Sequence, residues 1–191
     1  MMAEEMFHRA GGLACISPVF ADSIRIPHVP LGERSAALAP YILDFYDIGK
    51  DDLLILVNGY GINPVTIETA LECKKRGVKV IAITSCDYAN RLPKDFPGRH
   101  PSGLNLHEMF ETVLYTHVPY GDALVRMEGV ESPLGPYSTF GNAFICNCLV
   151  IETCRLLAEQ GIEPPVINSI NVLGGKEKNA HLYRKYRLRI R

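Results

Sequence analysis

Between Val57 and Val65 the chain reads Asn58-Gly59-Tyr60-Gly61-Ile62-Asn63-Pro64, a glycine turn running into a helix start. Backbone N–H groups at a helix N-terminus suit an anion, and the Asn58 amide adds a further N–H donor. Tyr60 is bulky enough to fill an anion's place or to stack on a ring. Thr84 and Ser85 close an apolar run, which places their hydroxyls where a parallel sheet binds ligands. Ser138 and Thr139 precede another apolar run; one of them is expected to cap a helix, leaving the other for ligand contact. Arg99 and His100 stand between two prolines, and a guanidinium beside a crevice can pair with phosphate. Each residue also has a plain structural role: glycine turn, cap hydroxyl or solvated loop histidine.

The elements that must position these groups are legible around the turn. Leu53 to Val57 is continuously apolar, as expected of a strand buried on both faces. Asn63 can cap the following helix, Pro64 fits its first turn, and Gly77 ends it behind Lys74, Lys75 and Arg76. Residues 78–83 return as a second buried strand, so residues 53–85 form a right-handed parallel crossover. Its loops at the strand C-termini are the usual ligand crevice of an open α/β sheet.

Elsewhere the pattern predicts a helix over residues 2–10 and a short strand or extended piece over 15–20. A Pro-rich loop over 21–34 and a helix over 35–46 follow, the helix carrying Leu38, Tyr41, Ile42 and Phe45 on one face. Residues 86–103 read as a long polar loop of the kind that often carries function, and 112–116 as a third strand. Residues 118–138 read as irregular. A long helix then runs to Gln160, with Gly161 just past its end. It is nearly apolar over 140–151, which predicts a place in the core or in a subunit interface. Residues 166–170 read as a last strand, followed by a basic helix. No linker or repeat divides the 191 residues, which therefore read as a single domain over 1–191.

The formal net charge of −1 gives no nucleic-acid footprint; Arg184, Lys185, Arg187, Arg189 and Arg191 read as a solvated helix end. Six scattered cysteines, none in a C-x-x-C pair, point to a reducing cytoplasm and to no metal site. No signal peptide and no apolar run long enough for a bilayer stand out. A dinucleotide fold is disfavoured: Gly59-Tyr60-Gly61-Ile62-Asn63 is not G-x-G-x-x-G, and Thr84-Ser85 stand where an acidic residue belongs.

Six stretches stand in one order: AEEMFHRAGGLA at 3–14, IAITS at 81–85, RHPSG at 99–103, PYGDALVRMEG at 119–129, GPYSTFGNAFICN at 135–147 and NVLGGKEKNAHL at 171–182. Together they resemble the SIS (sugar isomerase) domain proteins, in particular the bacterial phosphoheptose isomerase-like group. The resemblance implies a three-layer, Rossmann-like parallel sheet with helices on both faces. It implies binding of a phosphorylated sugar or sugar derivative, with aldose/ketose phosphate isomerisation through an enediol in catalytic members. Such chemistry needs a base within hydrogen-bond reach of the reacting carbon, for which Glu128, His100 and Asp122 are the candidates. RHPSG adds Ser102 to the ligand-binding candidates. A homo-oligomer, dimer or tetramer, is implied, and no cofactor, metal, nucleic acid or membrane.

Two departures shape the expectation. The family has a helix, a strand and a Gly-rich, Ser-bearing loop before AEEMF, so the resemblance predicts an N-terminally truncated domain. The family loop Ser-Asn-Ser-Gly-x-Asn is here Asn58-Gly59-Tyr60-Gly61-Ile62-Asn63, with both phosphate-holding hydroxyls replaced. Relatives carry His-Asn where this chain has Lys178-Asn179, so His181 takes no catalytic role from them. Binding is therefore expected over isomerisation; the alternative is a noncatalytic or regulatory subunit that associates with a partner chain.

Overall fold

The structure, a computed structural model, describes residues 2–20 and 34–186. Its helices are α1 (Met2–Phe7), α2 (Ala39–Phe45), α3 (Pro64–Arg76), α4 (Cys86–Arg91), α5 (Ser138–Glu159) and α6 (Gly175–Tyr186). Its strands are β1 (Leu53–Val57), β2 (Lys79–Thr84), β3 (Val113–Tyr115), β4 (Ala123–Val125) and β5 (Leu134–Pro136). The chain packs as two units, one of residues 21–142 and one of residues 1–20 with 143–191.

In the 21–142 unit, β1, β2 and β3 form a parallel sheet in that order, registered by Leu53↔Lys79 and Ala82↔Val113. Helix α3 is the crossover from β1 to β2. Pro64 occupies its first turn, and Gly77, at φ 71°, ends it in the left-handed conformation that glycine adopts without strain. Asn63 is in an extended conformation but makes no side-chain cap. Ile67 and Ala70 of α3 pack on Ala82, Leu106 and Met109, while Cys73 packs with Leu43, Val78 and Val80. Arg76 ties α2 to the end of α3: its Nε donates to Glu72 at 2.8 Å, and its Nη2 pairs with Asp44 at 2.7 Å and reaches the Pro40 carbonyl at 3.3 Å.

Several expectations need correction. As the edge strand, β1 is only half-buried, and Leu53 is exposed. The 35–46 helix begins as a 3-10 turn at Ala36–Leu38 and buries Ala39 and Leu43, leaving Tyr41 and Phe45 exposed. The expected loop 86–103 opens with α4, because burying Ala89 and Leu92 against Ile62 favours a helix there. The irregular stretch 118–138 contains the antiparallel pair β4–β5, whose exposed Leu124, Val125 and Leu134 give no one-sided burial pattern.

In the other unit, Leu13 makes a single antiparallel bridge to Val166, flanked by N–H bonds from Gly11 to Ile167 and from Ile167 to Gly12, both 2.8 Å. That bridge replaces the strands expected over 15–20 and 166–170. Asn179 of α6 fixes the 168 region through two 2.8 Å bonds with the Asn168 backbone. Helix α1 is shorter than the 2–10 expected, ending before Gly11 turns at φ 92°.

Helix α5 has the expected span of 22 residues and is followed by Gly161 at φ 70°, but it is not a core helix. Cys146 and Val150 are buried, whereas Phe140, Phe144 and Ile151 are about 70 % exposed. By length and composition α5 also qualifies as a membrane span, which corrects the expectation that no such segment exists. The polar residues Asn142 and Asn147 interrupt its apolar run without lowering its average enough to exclude it. Burial pushes the Cys73 and Cys146 thiols up to about 11, so both act as small apolar side chains. Among the described residues no three metal-ligating side chains cluster. The prediction for residues 21–33 and for Arg187, Arg189 and Arg191 lies outside the described residues.

Candidate functional site

The crevice beyond the C-termini of β1, β2 and β3 lies wholly in the 21–142 unit. Asn58 leaves β1 with its N–H on the Ile83 carbonyl at 3.0 Å. Its side-chain oxygen then accepts the N–H groups of Tyr60 at 3.0 Å and Gly61 at 2.8 Å. Two backbone donors of the loop are thus taken by Asn58. Gly61 turns at φ 62° directly over Thr84; a Cβ there would meet Thr84 Oγ1 at 2.5 Å. Gly59 faces α5, where a Cβ would touch Ser138 Cβ at 3.4 Å and Asn142 Nδ2 at 4.0 Å.

The hydroxyls at the end of β2 differ from each other. Ser85 is buried and its Oγ donates to the Val118 carbonyl at 2.8 Å, so it braces the segment after β3. Thr84 is fully buried, and its Oγ1 has no partner within the protein. Thr116 Oγ1 and the Asn142 side-chain oxygen are likewise buried without one. Buried polar atoms without a partner are uncommon in folded proteins, and a water or ligand is the usual partner where the protein supplies none.

Asp122 is the carboxylate at the crevice mouth. It accepts the Ser138 N–H at 2.6 Å, the Ser138 Oγ–H at 2.8 Å and the Tyr60 hydroxyl at 3.4 Å. Ser138 therefore does not cap α5; Asp122 does, from across the turn. Tyr60, Tyr88 and Tyr120 stack in sequence, with ring centroids 4.1 and 5.3 Å apart and both pairs tilted by 31°. Tyr60 and Tyr88 rest on buried Ile62, Ala89 and Leu92. Burial, with Tyr120 and Asp122 nearby, pushes the Tyr88 hydroxyl above its usual range and keeps it protonated.

The residues of RHPSG form a separate cluster. Arg99 is buried and donates to the Ala89 and Leu92 carbonyls at the end of α4 and to Asn105 Oδ1 at 2.6 Å. It caps a helix C-terminus and fastens the loop. His100 Nδ1 receives the Ser102 N–H at 3.1 Å and lies 2.7 Å from Ser102 Oγ, while Nε2 is 2.8 Å from Glu68 Oε1 on α3. A backbone N–H can only donate, so Nδ1 is the acceptor and Nε2–H points at Glu68. The segment also hydrogen-bonds the crevice loop from beneath, through His100 N–H to Ile62 O at 2.9 Å and Leu106 N–H to Gly61 O at 2.8 Å.

The structure brings together Asn58, Gly59, Tyr60, Gly61, Thr84, Ser85, Asp122 and Ser138. It sets Arg99, His100 and Ser102 in their own network. Asn63 leads into α3, Thr139 is half-buried in the first turn of α5, and Glu128 is exposed between β4 and β5. Tyr88, Tyr120, Asn142, Thr116 and Glu68 join these groups without having been singled out. Tyr88 lay in a stretch read as loop, and a pattern of single tyrosines far apart carries no signal of stacking.

Parallel strands, a crossover helix and a polar crevice at the strand C-termini define a ligand-binding α/β domain. The family model described as SIS domain matches residues 1–85. A UPF0309 protein of Geobacillus thermodenitrificans is 38 % identical over all of this chain and 76 % of its own length. UPF0309 proteins of Geobacillus kaustophilus and Thermoanaerobacter pseudethanolicus are each 36 % identical over all of this chain, covering 76 % and 78 % of their own lengths. The chain belongs to the UPF0309 family of SIS-domain proteins. SIS domains bind carbohydrate derivatives, and their Rossmann-like fold matches the parallel sheet and helices found here.

Proposed function

We propose that residues 1–191 act as a single cytoplasmic SIS-type domain that holds a sugar derivative in the crevice of Asn58–Gly61, Thr84, Asp122 and Asn142. The observation that carries this reading is the set of buried, unpartnered Thr84 Oγ1 and Asn142 Oδ1 beside the glycine loop. Apolar packing would not leave such atoms there, whereas a hydroxyl-rich ligand supplies both donors and acceptors to them.

A binding role is favoured over an aldose/ketose phosphate isomerase. An enediol route needs an unencumbered base over the reacting carbon. Of the three candidates, Asp122 already accepts three hydrogen bonds, His100 is held between Ser102 and Glu68, and Glu128 is exposed in the hairpin. A thermal-shift panel of sugars and sugar phosphates tests the binding reading. At least one compound at millimolar concentration raises the melting temperature; a flat response to the whole panel sinks it. NMR of a shifting sugar phosphate then shows no aldose/ketose interconversion.

A second reading concerns association, as a homo-oligomer or with a regulatory partner chain. The exposed Phe140, Phe144 and Ile151 of α5 and the edge position of β1 among the described strands support it. Light scattering on the eluting protein decides it: a monomeric mass counts against the reading.

A further inference from the structure

Resting on that sugar-binding reading, we propose that the crevice takes an unphosphorylated amino sugar in preference to a sugar phosphate. A phosphate needs donors and a nearby positive charge, and several of the donors here are bonded within the protein. The N–H groups of Tyr60 and Gly61 go to Asn58 Oδ1, Ser85 Oγ goes to the Val118 carbonyl, and both donors of Ser138 go to Asp122. Arg99 turns its guanidinium to the Ala89 and Leu92 carbonyls and to Asn105. The N-terminus of α3 still favours negative charge, but the Tyr60 and Gly61 N–H groups ahead of it are bonded to Asn58.

What the crevice also offers is acceptors. Among the described residues, none of the ion pairs involves Asp122, so its carboxylate stands without a cation. It repels a phosphate dianion and attracts an ammonium. The Asn142 side-chain oxygen is a second acceptor in want of a donor. Beside them the Tyr60–Tyr88–Tyr120 stack presents aromatic faces, with Tyr120 about half exposed at the outer end. Such faces take the apolar C–H side of a pyranose and attract a nearby cation. The packing of Tyr60 and Tyr88 on Ile62, Ala89 and Leu92 holds the platform in place before any ligand arrives.

Calorimetric titration of the full chain tests this. The probes are glucosamine, galactosamine and mannosamine, each beside its parent hexose and its 6-phosphate, with inorganic phosphate as control. At least one hexosamine binds tenfold or more tighter than its own 6-phosphate, and inorganic phosphate does not compete. A 6-phosphate that binds as tightly or tighter overturns the inference and leaves the sugar-binding reading standing. If no sugar in either form binds, both fall. Tyr120→Ala, at an exposed position that leaves the fold intact by circular dichroism, weakens hexosamine binding at least tenfold; unchanged affinity overturns the platform. Asp122→Asn abolishes the preference for hexosamine over hexose, and a retained preference overturns the role of the carboxylate.

Discussion

Asp122 holds the first turn of α5 by taking both donors of Ser138, the amide at 2.6 Å and the hydroxyl at 2.8 Å. It does so from a left-handed backbone conformation, φ 63°, directly after Gly121 at φ 92°. Asp tolerates that region better than most residues, and a carboxylate at a helix N-terminus is favoured by the helix dipole. One side chain therefore joins the hairpin, the crevice and the start of the longest helix.

Loss of that cap is measurable. Asp122→Ala removes every acceptor and is expected to cost about 1–2 kcal/mol in urea denaturation. Asp122→Asn keeps an oxygen for the Ser138 amide and costs less. Equal stability of the alanine variant and the parent protein would show that the cap contributes nothing.

Gly61 is the glycine on which the crevice loop depends. Its positive φ and the 2.5 Å approach of a Cβ to Thr84 Oγ1 make Gly61→Ala doubly unfavourable, by about 1–3 kcal/mol. Gly59→Ala meets Ser138 Cβ at an ordinary 3.4 Å and is nearly neutral. Adding Thr84→Ala removes the 2.5 Å contact with Thr84 Oγ1 and recovers part of the Gly61→Ala defect, the 3.1 Å approach to Leu106 Cβ remaining. Thermal melts of the three variants check the order; an equal loss at both glycines rules the explanation out.

His100 is a fastener for the crevice loop. With Nε2–H on Glu68 and Nδ1 on Ser102, its ring fixes the segment whose amides support Ile62 and Gly61. His100→Ala leaves Glu68 without its partner and is expected to cost about 1–3 kcal/mol. Hydrogen exchange at the His100 and Leu106 amides then accelerates while the β2 amides keep their protection. Unchanged exchange at those two amides would leave the ring without a structural role.

The fold was legible where one residue type fixes one local conformation. The apolar run of β1, Pro64 at the start of α3 and Gly77 at its end each sit where expected. The hairpin, α4 and the outward face of α2 were not legible, because their strands are three residues long or their burial depends on partners distant in sequence. At the site, the loop 58–61 and the hydroxyls after β2 were placed by topology alone. Their hydrogen-bond partners were not. Nothing in Asn58 announces that it will close the loop on itself, nor in Asp122 that it will cap a helix 16 residues on. Such pairings depend on three-dimensional approach, which residue spacing does not encode.

Acid sensitivity follows from His107. It sits in a 3-10 turn beside Leu106, its side chain is nearly buried, and its Nδ1 has no partner within the protein. Burial lowers its pKa below the usual 6.5, with the Arg99 charge acting the same way and Glu108 opposing. The unfolded chain therefore takes up this proton first as pH falls, so stability is lost below about pH 6.5 and the loss levels off only below the folded pKa. His107→Gln keeps a polar side chain that does not titrate. Urea denaturation at about pH 7 and about pH 5 is expected to show a smaller acid loss in this variant than in the parent. Parallel losses in the two proteins would place the acid sensitivity in other groups, since a neutral glutamine has no proton to gain on unfolding.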